Sequence, residues 1–157
     1  MNENNMIVLG VGNILLSDEG IGVHVVNALK ERDSFPGIEL VDGGVAGFSL
    51  INIIEDHEKV FLIDCISAPH DPGSILMLSP DEIAQKEGDR YSLHDFNVRD
   101  TIDLMVMRGT LPDMTILGII PYDTTSYNIG LSKMLEEKFE AIIGKVTEEI
   151  KSYFSIK

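Results

Sequence analysis

Three segments of this chain are apolar almost without interruption: residues 6–12 (MIVLGVG), 60–66 (VFLIDCI) and 114–120 (MTILGII). A strand with one face in water alternates apolar and polar residues. A strand that is apolar on both faces has to be covered on both, as in a parallel sheet with helices on either side. The stretches between these runs have helical spacing. Residues 20–32 form the first, with Ser17 or Asp18 placed to cap it. Residues 48–56 carry Phe48, Leu50, Ile51 and Ile54, and residues 94–108 put Val98, Ile102, Met105 and Val106 on one face. From Leu131 to Phe154 an apolar stripe (Leu135, Ile142, Val146, Ile150 among its members) runs between glutamates and lysines, the pattern of a long amphipathic helix.

A further strand is expected at residues 38–42 (IELVD), closed by Gly43 and Gly44. The connection at 67–73 (SAPHDPG) holds two prolines and has no room for a crossover helix. Residues 74–78 (SILML) are therefore expected to run antiparallel beside the strand at 60–66. The expected architecture is α/β: a three-layer α/β/α sandwich, its sheet of about five strands mostly parallel with one antiparallel, spanning residues 1–157 as one domain.

Composition narrows the function. Twenty-six acids against 12 Lys and Arg give a net charge of −14, which repels phosphate backbones and argues against nucleic-acid partners and anionic membranes. The single cysteine, Cys65, excludes an intramolecular disulfide and a multi-thiolate zinc site. The N-terminal run MNENNMIVLGVGN lacks the basic segment of a signal peptide, and no apolar stretch approaches the roughly 18 residues of a membrane span. A cytoplasmic protein is expected.

In sheets of this kind ligands bind beyond the carboxyl ends of the strands. Gly10-Val11-Gly12-Asn13 ends the first strand and invites a dinucleotide reading, with Asp42 at the place of a ribose-binding acid. The third glycine of that fingerprint would fall on Leu15, and Asp18 and Glu19 at the helix start would repel a pyrophosphate. The plainer reading is that Gly10 and Gly12 permit a tight turn or close packing. Asp64, inside VFLIDCI, is a carboxylate in an apolar strand. It is either paired or metal-bound, or it sits near the strand end and binds loop amides. Glu19 alone reads as a first-turn acid favoured by the helix dipole, and His94 alone as a loop histidine. Taken together, two carboxylates and an imidazole on one sheet edge make a three-ligand set for nickel, zinc or a similar divalent ion. Cys65, next to Asp64, points to the opposite face and reads as a small buried hydrophobe, and no GxSxG elbow is present.

The run GVGNILLSDEGIGVHVVNAL (residues 10–29) closely resembles the N-terminal signature of the [NiFe]-hydrogenase maturation endopeptidases. DGGVAG at 42–47, LIDCI at 62–66, SLHDF at 92–96, LGIIP at 117–121 and NIGLS at 128–132 resemble later blocks of that family in the same order. The resemblance implies a cytoplasmic protease that removes a short C-terminal peptide from the precursor of a hydrogenase large subunit. Cleavage would follow nickel insertion and fall just beyond the CxxC-containing motif that ligates the metal. The family's metal-contacting positions fall on Glu19, Asp64 and His94, and the position linked to substrate recognition or cleavage falls on Asp42. Nickel is expected to arrive with the substrate, with no tightly bound organic cofactor. Two other readings stand beside this one: a non-catalytic nickel-checking module that binds the same precursor, and a nucleotide-binding α/β domain. The histidine block departs from the commoner HxxGL or HQ, reading His94-Asp95-Phe96-Asn97-Val98, and the first ligand is Glu19 rather than Asp.

Overall fold

A computed structural model describes residues 5–45, 47–84, 92–93 and 96–157. The elements are β1 (Met6–Val11), α1 (Ile21–Glu31), β2 (Glu39–Gly44), α2 (Ser49–Glu55), β3 (Lys59–Ser67), β4 (Ile75–Leu78), α3 (Pro80–Ala84), β5 (Ser92–Leu93), α4 (Phe96–Arg108), β6 (Asp113–Ile119) and α5 (Lys133–Phe154). The main sheet runs in the order β2-β1-β3-β6-β4. β2, β1, β3 and β6 are parallel, β4 is antiparallel to β6, and the short β5 pairs antiparallel with the carboxyl end of β3.

Side-chain alternation along β3 builds two cores. Phe61, Ile63 and Cys65 face the layer of α1 and α5, where Val25, Val26, Leu29, Leu135, Val146 and Ile150 meet them. Val60, Leu62 and Ile66 face the other layer, with Leu50 and Ile54 of α2 and Ile102 and Met105 of α4. Cys65 is thus a core residue of the first layer. The central place of β3 follows from its being buried from Val60 through Ile66. α5 starts at Ser132, whose side chain accepts from the Leu135 amide, and ends at Ser155 in the left-handed conformation, φ 55°.

Two expectations are corrected. β4 does run antiparallel, but it pairs with β6, in the register Ile75↔Ile119 to Leu78↔Ile116, and not with β3. β3 has β1 on one side and β6 on the other over Lys59–Ile63, and only its carboxyl end takes a further partner, the short β5. The connection at 67–73 instead steps across β6, and reciprocal bonds between Gly73 and Ile120 and between Ile120 and Ser74 fasten it there. Second, neither Ser17 nor Asp18 caps α1. Residues Ser17–Gly20 form a separate 3-10 turn, and α1 begins at Ile21 with no side-chain cap.

That helix lies unusually close to the sheet. A Cβ on Gly22 would overlap the backbone carbonyls of Ile63 and Val11, neither of which can move without breaking a strand. Gly22→Ala is therefore expected to destabilise the fold by about 2–3 kcal/mol. Urea unfolding should show this as a lowered midpoint with the slope unchanged.

Candidate active site

The carboxyl ends of β1, β2 and β3 form one edge, and the chain leaving β1 returns to it through the turn Ser17–Gly20. At Gly12 φ is 142°, and a Cβ there would overlap the Glu19 carbonyl, so glycine lets the turn fold back over the strand end. The glycines that suggested a phosphate loop serve close packing, and the α1 N-terminus lies behind a turn carrying two acids.

Asp18 and Glu19, adjacent in that turn, do different things. Asp18 has 0% exposure. Its Oδ2 accepts from the amides of Tyr122 (3.0 Å) and Asp123 (2.9 Å) and from Ser132 Oγ (2.7 Å). Its Oδ1 accepts from the Ser132 amide at 2.7 Å. This carboxylate binds both ends of the loop that joins β6 to α5. A capping place at the start of the first helix was the expected one; its actual partners lie more than a hundred residues away, and no local pattern announces them.

Glu19 is 7% exposed and Asp64 5%. The turn that carries Glu19 packs against β3, and Gly22, three residues on, sits against the Ile63 carbonyl beside Asp64. Asp64 Oδ1 accepts from the Cys65 amide at 2.7 Å. Two buried carboxylates therefore occupy neighbouring elements on the same edge. β5 ends one residue before His94 in sequence and is paired to Ile66 and Ser67, just past Asp64. His94 itself lies outside the described residues. Among the described residues, no three His, Cys, Asp or Glu side chains gather as a metal site. The donor set of Glu19, Asp64 and His94, two oxygens and an imidazole nitrogen, suits nickel by ligand type.

Asp42 sits elsewhere on the edge. It and Ile63 both register with Gly10, so it lies two strand spacings from β3, about 10 Å. Its Oδ2 accepts from Asn27 Nδ2 at 3.2 Å and its Oδ1 from the Gly44 amide at 2.9 Å. It lines an open cleft of about 370 Å³ with Gly12, Asn13, Ile14, Leu15 and Val45. Asp42 thus faces the site across β1 rather than joining Glu19 and Asp64.

His24 projects from α1 close enough to Asp42 and Asp18 to feel both charges. Burial lowers its pKa, and the two acids only partly oppose that. Its Nε2 is buried without a hydrogen-bond partner among the described residues.

Two outcomes are expected. Asp18→Ala should destabilise the protein by about 3–5 kcal/mol, because it strands buried donors at both ends of a loop, and Asp18→Asn by less. Chemical denaturation at neutral pH measures both. His24 has a folded pKa below its unfolded value of 6.5, so the unfolded chain takes up the proton first. Its contribution to stability is present above pH 6.5 and declines as the pH falls below it. A series of melting temperatures from pH 8 to pH 5 should slope less in His24→Gln than in the parent.

Comparison with known proteins shows the family. The sequence model of the hydrogenase maturation proteases (HycI) matches residues 23–149. The chain is 33% identical over 144 residues to the hydrogenase 2 maturation protease of Escherichia coli K12, covering 90% of this chain and 87% of that one. It is 30% identical to the hydrogenase expression/formation protein HoxM of Azotobacter vinelandii, over 89% of this chain and 69% of that one. The structure superposes on the hydrogenase maturating endopeptidase HybD from E. coli with a TM-score of 0.75 and 29% identity, covering 94% and 93% of the two chains. A [NiFe] hydrogenase maturation protease HycI from Thermococcus kodakarensis shares the fold, with a TM-score of 0.72 at 22% identity. The chain belongs to the hydrogenase maturation protease family and is a peptidase.

Proposed function

We propose that this endopeptidase removes the C-terminal extension of a [NiFe]-hydrogenase large-subunit precursor after nickel has been inserted, and that it works in the cytoplasm. What carries the reading is the pair of buried carboxylates, Glu19 and Asp64, on neighbouring elements of the edge where a parallel sheet binds ligands. Two buried acids on adjoining elements make that edge locally negative, which favours a cation arriving there. A metal delivered by the substrate supplies that cation.

In this reading nickel is part of the substrate. The thiolates of the precursor hold it, and Glu19, Asp64 and His94 complete its coordination. An oxygen-and-nitrogen set engages metal that is presented to it without stripping it from softer thiolate ligands. Docking on the metal places the adjoining chain along the strand ends and holds the scissile peptide in register. Asp42, across β1 in the open cleft, takes a proton from the attacking water. The Gly44 amide and the Asn27 side chain hold its carboxylate in place for that step. A precursor lacking nickel offers nothing to the two acids and is left uncut.

The test is intact-mass spectrometry of nickel-loaded and apo precursor after incubation with the protein. Loss of a C-terminal peptide from the loaded form alone is the expected result. Glu19→Ala, Asp64→Ala and His94→Ala should each reduce cleavage by about a hundred-fold or more, and Asp42→Asn should lower kcat with little change in KM. Normal cleavage by a Glu19→Ala, His94→Ala double variant would refute the nickel-contact mechanism. Binding of the loaded precursor without any cleavage would instead support a checking module.

A further inference from the structure

Beside the cleft, the protein holds large apolar side chains in water on a stiff frame. Tyr127 is 91% exposed and Ile129 77%, at the tip of the loop between β6 and α5. Leu15, Ile14 and Val45 are exposed beside them, on the loops that leave β1 and β2. The two sets are joined by backbone: the Asn128 amide donates to the Leu15 carbonyl, the Ser17 amide donates to the Asn128 carbonyl, and Leu16 and Asn128 form a β-bridge. Asp18 fastens both feet of the loop, at Tyr122–Asp123 and at Ser132. Asp123 braces the near side by accepting from the Ser126 side chain and from the amides of Ser126 and Thr125, which together lower its own pKa to about 2.

Exposed Tyr, Ile and Leu on a fixed backbone are the composition of an interface centre, because little entropy remains to be lost on binding. The charge pattern points the same way. Residues 10–17, 43–54 and 124–132 contain no Asp, Glu, Lys or Arg, in a chain that is 24% charged. Loops without charges of their own, continuous with the cleft that holds Asp42, fit the protein whose segment enters that cleft rather than a second copy, since two chains at −14 repel each other.

We propose that Ile14, Leu15, Val45, Tyr127 and Ile129 form the surface on which an apolar patch of the folded large-subunit precursor docks, running from the wall of the cleft that receives its C-terminal segment onto the loop before α5. This rests on the precursor's being the substrate. The surface supplies affinity and client choice; Glu19, Asp64, His94 and Asp42 supply the response to metal and the cleavage.

The experiment measures steady-state cleavage of the nickel-loaded, full-length precursor by the parent protein, by a Tyr127→Ser, Ile129→Ser double variant and by Tyr127→Phe. Both side chains are exposed, so melting temperatures should agree. The double variant should raise KM about ten-fold or more with kcat within about two-fold, and Tyr127→Phe should stay close to the parent. If the parent cleaves and the double variant keeps its KM, or loses only kcat, the docking surface is wrong and the substrate reading stands. If the parent neither binds nor cleaves the loaded precursor, the substrate reading fails and the surface falls with it. Sedimentation velocity gives the third outcome: a parent dimer that the double variant dissolves would assign the patch to a second copy and overturn the proposal.

Discussion

The edge of the sheet that holds the candidate site is organised by one fully buried carboxylate. Asp18 leaves β1 in a tight turn and accepts from backbone groups at both ends of the loop before α5. Each of those amides would otherwise be a buried donor without a partner, so the loop and the turn are stable together and not apart. The next residue, Glu19, inherits its place from this arrangement. A long acidic side chain is thereby held beside the end of β3, where Asp64 is already buried.

The close approach of α1 to the sheet is the second constraint. Glycine at position 22 lets the helix lie against the carbonyls of β1 and β3, and glycine at position 12 lets the turn close over the strand end. These glycines bring backbone against backbone where a dinucleotide-binding loop would bring backbone against phosphate. The same local signal, glycines after a buried strand, serves opposite ends. The residues that follow decide which: acids in the turn exclude a pyrophosphate and suit a cation.

The edge is therefore split by chemistry. The buried acids lie at β3 and the turn, Asp42 lies across β1 in an open cleft, and exposed apolar side chains line that cleft and continue onto the loop before α5. For the proposed cleavage of a nickel-loaded precursor such a division is useful. A response to metal, a place for the cut and an area for recognition can each be tuned without disturbing the others.

Much of this was legible in the sequence. Continuous apolar runs dictated strands covered on both faces, hence a parallel sheet between helix layers, because only burial on both sides tolerates VFLIDCI. The stripe from Leu131 to Phe154 dictated α5. Asp64 stood out because a carboxylate in such a strand requires a partner, and family resemblance marked Glu19, His94 and Asp42. Tertiary structure alone decided the rest. The antiparallel direction of β4 follows from a short loop, but its partner depends on β6, which arrives more than thirty residues later and takes the side of β3 that was still open. The use of Asp18 rests on donors from residues 122, 123 and 132, a set assembled only when the chain has closed. Sequence pattern reports which side chains need burial and which way the chain can turn. Which distant groups satisfy them is settled by packing, where buried polar atoms, with few exceptions such as His24 Nε2, find partners in what the fold brings near.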